Sequence, residues 1–257
     1  MNSLSWLRYF EANRQNFIAP DWEAPFALTI AQRACLARSL SHFQLGESGG
    51  GSHLFAKAGQ EDEIYRAALR LFVAEEAEHA RLLEGLVIRF GGRLIKRHWT
   101  HLLFRAARRA LGLNFEIQVL LIAELVGTAY YRTLARRARD PILDQVCARI
   151  LTDEARHVAF HLDRLREIHA ALLPAERSAW SLQFQLLFTA ALLVAWIDHR
   201  DALGAICTRR AEFYSEARKE CIAFLDSLAA SDDAARDRRP IGPPLADGEK
   251  ALPHALA

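Results

Sequence analysis

The chain has 257 residues, 51% of them apolar, and a net charge of only +2. That length and apolar content suit one large domain with a sizeable core. The near-neutral balance excludes nucleic-acid binding driven by overall charge. The four cysteines, Cys35, Cys147, Cys207 and Cys221, form no C-x-x-C pair. This excludes a zinc ribbon or a rubredoxin-type iron site and predicts a reduced, cytoplasmic chain.

Leu, Ala, Arg and Glu dominate and strand-like alternation is hard to find, so the fold class is all-α. The N-terminus, Met1 to Arg8, lacks a signal-peptide apolar core. Asp21 and Pro25 mark the start of a first long helix, from about Pro25 to about Glu47. The glycines at 46, 49, 50 and 51 should break or widen it near its end. A second helix is predicted over Gln60 to Phe90, closed by Gly91-Gly92. Arg93 to Gly112 is a basic connector with room for a short helix. Asn114 to Arg139 is the third helix. Asp140-Pro141, an N-cap followed by proline, opens a fourth that runs to about Leu173. Pro174 opens a fifth, and about Ala205 to Ala229 makes a sixth. From Ser231 the composition shifts to Asp, Arg, Pro, Gly and Ala, which predicts a disordered tail over 231–257. The expected organisation is one helical domain over 1–230, with its bundle over about 25–173 and C-terminal helices over about 174–230.

Trp180 to Ile197 is nearly all apolar. It contains Gln183 and Gln185 and is at the short limit for a span. It reads first as a buried helix or a dimer face and second as a membrane contact, and no transmembrane span is expected.

One five-residue pattern occurs twice. Glu75-Glu76-Ala77-Glu78-His79 is followed, 78 residues later, by Asp153-Glu154-Ala155-Arg156-His157. Residues three apart on a helix lie about 60° apart around its axis, so Glu76 and His79 can grip one ion and Glu154 and His157 another. Carboxylate plus imidazole suits iron, manganese or zinc. Glu47 precedes Glu76 by 29 positions and Glu124 precedes Glu154 by 30. Each half thus reads Glu, one helix hairpin, Glu-x-x-His, the layout of carboxylate-bridged two-metal helical bundles. The faces are apolar: Leu69, Phe72, Leu83 and Leu86 flank the first pair, and Ile150, Leu151 and Val158 the second. Glu124 sits inside the run Val119 to Val126, where an ionised carboxylate costs several kcal/mol unless offset. Two divalent ions balance four carboxylates; buried pairing with Arg is the plainer alternative. Glu75 and Asp153, four before the histidines, are rival ligands, and Glu116 is a weaker rival to Glu124. Glu47 is the softest ligand because of its glycine-rich surroundings.

On these residues the chain resembles the ferritin-like di-iron carboxylate superfamily, over roughly residues 25 to 172. Asp153-Glu154-Ala155-Arg156-His157 is similar to the D-E-x-R-H motif of its oxygen-activating branch, which includes the bacterial multicomponent monooxygenases. The resemblance implies a ferritin-like four-helix bundle, here extended by two C-terminal helices. It implies two iron ions, or manganese, held by Glu47, Glu76, His79, Glu124, Glu154 and His157. Glu75 and Asp153 would then hold the far ring nitrogens of the histidines, and Arg156 would pair with a neighbouring carboxylate. Tyr131 falls at the Glu-x6-Tyr position of the family. It is a candidate catalytic residue lining the cavity, against a plain core tyrosine. His161 is an outer-shell or surface histidine, or an extra ligand. Relatives that oxidise arylamines carry a histidine where this chain has Ile150.

The implied activity is oxidation of an organic substrate, free or carrier-bound, by a dioxygen-activating di-iron oxidase. Electrons must come from an external donor, since no flavin or iron–sulfur motif is present. The alternative is iron handling: ferroxidase, storage or peroxide detoxification. Relatives with similar sites hydroxylate tRNA or quinones. Arg93, Lys96, Arg97, Arg105, Arg108 and Arg109 fall in an acid-free stretch over 93–109. That stretch reads as a solvated connector, or else as an anion-binding face for a phosphate, RNA, an acidic redox partner or lipid headgroups. A homodimer through the apolar stretch is compatible with the sequence.

Overall fold

The computed structural model describes residues 2–16, 19–49 and 51–237 and contains no strand among them. Nine α-helices make up the described chain: α1 (Ser3–Arg14), α2 (Ile30–Glu47), α3 (Ser52–Lys57), α4 (Glu63–Arg89), α5 (Trp99–Ala110), α6 (Leu113–Ala138), α7 (Pro141–Ala170), α8 (Pro174–Ala205) and α9 (Arg210–Asp237). Side chains close their ends. Thr29 and Gln32 form a capping box at α2, Asp62 accepts from the Tyr65 amide at α4, and Asp140 caps α7 ahead of Pro141. The capping box explains why α2 begins at Ile30 rather than near Pro25. The residues before it are held instead by tertiary contact: the Trp22 ring lies where a Cβ on Gly85 would fall, at 2.4 Å.

The pair α2 and α4 packs on the pair α6 and α7 through α4 and α7. On the other side, the Phe43 ring of α2 stacks 4.4 Å from Tyr130 of α6. α6 is buried on nearly every side because α5, α7, α8 and α9 all pack on it. This is why its sequence is an almost unbroken apolar run. α8 crosses α2 and α6, and α9 lies against α6 and α7.

Three features depart from the sequence reading. The first is α1, which the sequence reading did not anticipate. Asn2 caps it, and Trp6, Phe10 and Asn13 face inward against α4 and α7. Phe10, Phe72 and Phe160 are all buried there, each burial contributing about 2–3 kcal/mol. The second is α8. Trp180, Phe184, Phe188 and Leu192 bury one face in the core, while Leu182, Leu186, Leu193 and Ile197 remain exposed. The stretch is therefore not buried within the chain. By length and composition α6 and α8 can each cross a membrane, but 78% of the most apolar window of α6 is buried inside the fold and only 22% of that of α8. The third is the C-terminal helix, which continues to Asp237. The rest of the segment read as a tail lies outside the described residues.

Candidate metal centre

Glu76 and His79 on α4 and Glu154 and His157 on α7 meet between the two helix pairs. One ligand atom from each lies within 4.8 Å of all the others, so the four can hold a metal ion. His79 Nδ1 stands 3.9 Å from Glu76 Oε1 and 3.5 Å from Glu154 Oε1. His157 Nδ1 stands 2.9 Å from Glu76 Oε1 and 3.6 Å from Glu154 Oε2.

The outer ring nitrogens explain why both Nδ1 atoms face inward. His157 Nε2 lies 2.9 Å from Glu75 Oε2, and His79 Nε2 lies 3.1 Å from Asp153 Oδ2. Each acidic residue thus serves the histidine of the other helix. A carboxylate there fixes the proton on Nε2 and leaves the Nδ1 lone pair for the centre. Glu75 and Asp153 thus stand at the outer ring nitrogens, while Glu76 and Glu154 group with the inner ones. Asn13 of α1 joins the two arms: its Nδ2 donates to Glu75 Oε1 at 2.6 Å and to Asp153 Oδ1 at 2.9 Å. Arg149 adds a charge 2.9 Å from Asp153 Oδ2.

The outer atoms are satisfied and the inner ones are not. Glu76 Oε1, His79 Nδ1, Glu154 Oε2 and His157 Nδ1 are buried without an aligned hydrogen-bond partner. Buried polar atoms rarely stay unpaired. Four convergent orphans of this chemistry are a donor set that fits a transition-metal ion.

Glu47 and Glu124 complete the carboxylate group. Burial raises Glu47 well above the usual carboxylate range, aided by Glu76, to which it hydrogen-bonds. Burial raises Glu124 likewise, aided by Glu154 and Glu76. Glu76 goes the other way: burial opposes its ionisation, but contact with His157, the Glu47 hydrogen bond and the charge of His79 hold it well below the usual range. Burial disfavours protonation of His157, yet its contacts with Glu154, Glu75 and Glu76 raise it well above its usual value. The same opposition raises His79 through Asp153, Glu76 and Glu154. Four carboxylates in one buried space demand positive charge, and the raised histidines and raised Glu47 and Glu124 are the direction that demand imposes.

The remaining expected residues divide. Tyr131 is buried with its hydroxyl 3.4 Å from Glu47 Oε1, so it does border the centre. His161 is neither a surface residue nor hydrogen-bonded. It is fully buried against Phe72, and burial together with the neighbouring His157 lowers its pKa to about 3. Arg156 is exposed and lies over the Tyr9 ring at 5.3 Å; Arg149, one turn before Asp153, is the arginine that meets a site carboxylate. Glu116 is no rival ligand. It is buried with Arg108 at 2.7 Å, His53 at 3.0 Å and Lys57 at 3.1 Å. Among the glycines after α2, Gly51 has a structural reason. Glu47 is the last residue of α2, and Gly51 starts α3 at φ +64°, where a Cβ would stand 2.8 Å from Val73.

A cavity of about 410 Å³ opens from Glu47, Glu76, Glu124 and Glu154. Its walls are mainly apolar: Phe72, Phe104, Val119, Ile122 and Val194 among them. Its far end is polar. There Asp198 lies 3.1 Å from His42 Nδ1, 3.4 Å from His98 Nε2 and 3.1 Å from Thr100 Oγ1. The three polar residues around Asp198 are distant in sequence and carry no local motif, and only the folding of α2 and α5 onto α8 assembles them.

Comparison with protein-family models, curated proteins and solved structures yields no match. The class of molecule defined by fold and site is therefore an all-helical protein with a buried Glu/His group that can hold a metal ion.

Proposed function

We propose that the chain is a ferritin-like, non-haem di-iron oxidase or oxygenase acting on an apolar organic substrate. The observation that carries this reading is the conjunction of the four inward orphan atoms with an apolar cavity opening on the same carboxylates. A centre built only to pass iron has no need of such a chamber. When bound, two ferrous ions would supply two electrons and open coordination positions for dioxygen chemistry, with an external donor restoring the ferrous state.

The chain's own contribution follows from its geometry. Once incoming ions displace the protons of Glu47 and Glu124, the four carboxylates Glu47, Glu76, Glu124 and Glu154 would carry four negative charges, enough to neutralise two divalent ions. His79 and His157 supply nitrogen donors, held in one tautomer by Asp153 and Glu75. Asn13 fixes those two arms relative to each other. Phe72, Phe104, Val119 and Ile122 exclude water and position an apolar molecule beside the carboxylates. Tyr131 holds a hydroxyl proton at the Glu47 side.

The test is anaerobic loading with ferrous iron followed by dioxygen in an oxygen electrode, with iron content measured afterwards. The expected result is rapid oxygen consumption with about two irons retained per chain. Comparing metabolites from cells carrying the parent and the Glu154→Ala chain should then reveal the product class. Uptake of excess iron as a mineral would overturn the oxidase reading in favour of iron handling.

A further inference from the structure

We propose that α5 and the outer face of α8 form one surface that docks on an anionic lipid bilayer, with the cavity mouth between them. α5 is amphipathic and leaves every residue at least partly exposed. Its outward side presents Trp99 at 49%, Leu102 at 57% and Leu103 at 51% exposure. Arg105 and Arg109 lie beside this ridge. Neither has a carboxylate partner among the described residues, whereas Arg108 on the inner side is spent on buried Glu116. Arg93, Lys96 and Arg97 extend the basic edge toward the start of the helix. Cationic side chains flanking an exposed apolar ridge with a tryptophan are the chemistry of an interfacial helix on anionic headgroups.

The second half of the surface is independent. Leu186, Ala190, Leu193 and Ile197 form an exposed row along α8 at spacings of four, three and four. A soluble monomer has little reason to keep so long an apolar row in water. The two surfaces are neighbours. Thr100 at the start of α5 donates to Asp198 of α8 at 3.1 Å. Leu103 of α5 and Ala190 of α8, both exposed, line the same cavity. The acid-free stretch over 93–109 selects the occupant. Anionic headgroups satisfy the cations and the bilayer interior satisfies the leucines at once. An apolar molecule leaving the bilayer between Leu103 and Ala190 would then enter the cavity toward Glu124; this last step alone rests on the oxidase reading. Docking itself requires no metal.

The experiment is co-sedimentation of the full chain with large unilamellar vesicles. One set is phosphatidylcholine alone and the other includes phosphatidylglycerol. Binding is expected to the anionic vesicles, weakened by salt. Neutralising Arg105→Gln and Arg109→Gln together should lower partitioning on the order of 25-fold, about fivefold for each cation lost. Leu186→Ser with Leu193→Ser should also lower it, with circular dichroism unchanged. Arg81→Glu, on an exposed side chain of α4, should leave it unaltered. Absence of vesicle binding by the parent, or binding indifferent to both sets of variants, overturns the proposal. So does light scattering that shows a parent dimer split by the α8 variants, or tighter binding to single-stranded RNA than to anionic vesicles through the same arginines. Because no turnover is measured, failure here leaves the metal-centre reading standing.

Discussion

Asn13 is the sharpest probe of how the centre is built. It lies on α1, outside the helices that supply ligands, and is 9% exposed. Its one amide nitrogen donates to Glu75 at 2.6 Å and to Asp153 at 2.9 Å. Asn13→Ala removes two hydrogen bonds to charged acceptors, each typically about 1.5–3 kcal/mol. Glu75 keeps His157, and Asp153 keeps His79 and Arg149, so the net loss should fall near the lower end of the summed range, about 3 kcal/mol. Metal affinity should fall about 10–100-fold, because the histidine rings lose their common anchor. Asn13→Asp should cost more at neutral pH, since it sets a third carboxylate between two others. The folded-state pKa of the new Asp is raised by its neighbours. Its relative stability is therefore present at low pH and lost as pH rises through that raised pKa. Denaturant unfolding of the apo protein at pH 4.5 and 7.5 measures the stability loss and its pH dependence, and chelator competition the change in metal affinity. If both variants unfold within about 0.5 kcal/mol of the parent and bind metal equally well, the reciprocal arrangement of Glu75 and Asp153 does not hold the centre.

Further predictions concern the ligands, protons and backbone. The purified chain should bind about two divalent ions, and His79→Ala with His157→Ala should abolish most of that binding while helix content survives; elemental analysis showing full occupancy in the double variant would contradict the assignment. Metal affinity should rise with pH, because an incoming ion must displace protons from His79 and His157 and from Glu47 and Glu124, all of whose pKa values are raised; calorimetry showing no proton release on binding would refute this. Gly51→Ala should cost about 1–2 kcal/mol in thermal unfolding, since it combines a left-handed φ with a Cβ 2.8 Å from Val73, and it should loosen Glu47 four residues away. Glu116→Gln should destabilise the fold by at least about 2 kcal/mol, since Arg108, Lys57 and His53 converge on that one carboxylate, yet it should leave metal content unchanged because Glu116 is not a ligand.

The repeat of Glu-x-x-His at a 78-residue offset was enough to bring Glu76, His79, Glu154 and His157 together on paper. Helical periodicity is local, and an apolar face around an acid is visible in one dimension. The same locality explains the cap at Asp140, whereas the residues alone left Glu75 and Asp153 as rivals of Glu76 and Glu154. It could not locate Asn13, whose partners are 62 and 140 residues away. Nor could it say that Glu116 pairs with Lys57 and His53, that Arg149 rather than Arg156 serves Asp153, or that His161 is sealed in the core. Each of those depends on which face of one helix meets which face of another. For α8 composition alone suggested burial, but a helix touching the bundle along one side can bury only that side. Whether an apolar residue is core or surface is thus decided by the neighbours that tertiary packing supplies, and here that packing leaves Leu182, Leu186 and Leu193 of α8 on the outside while Phe184 and Leu192 of the same helix are buried.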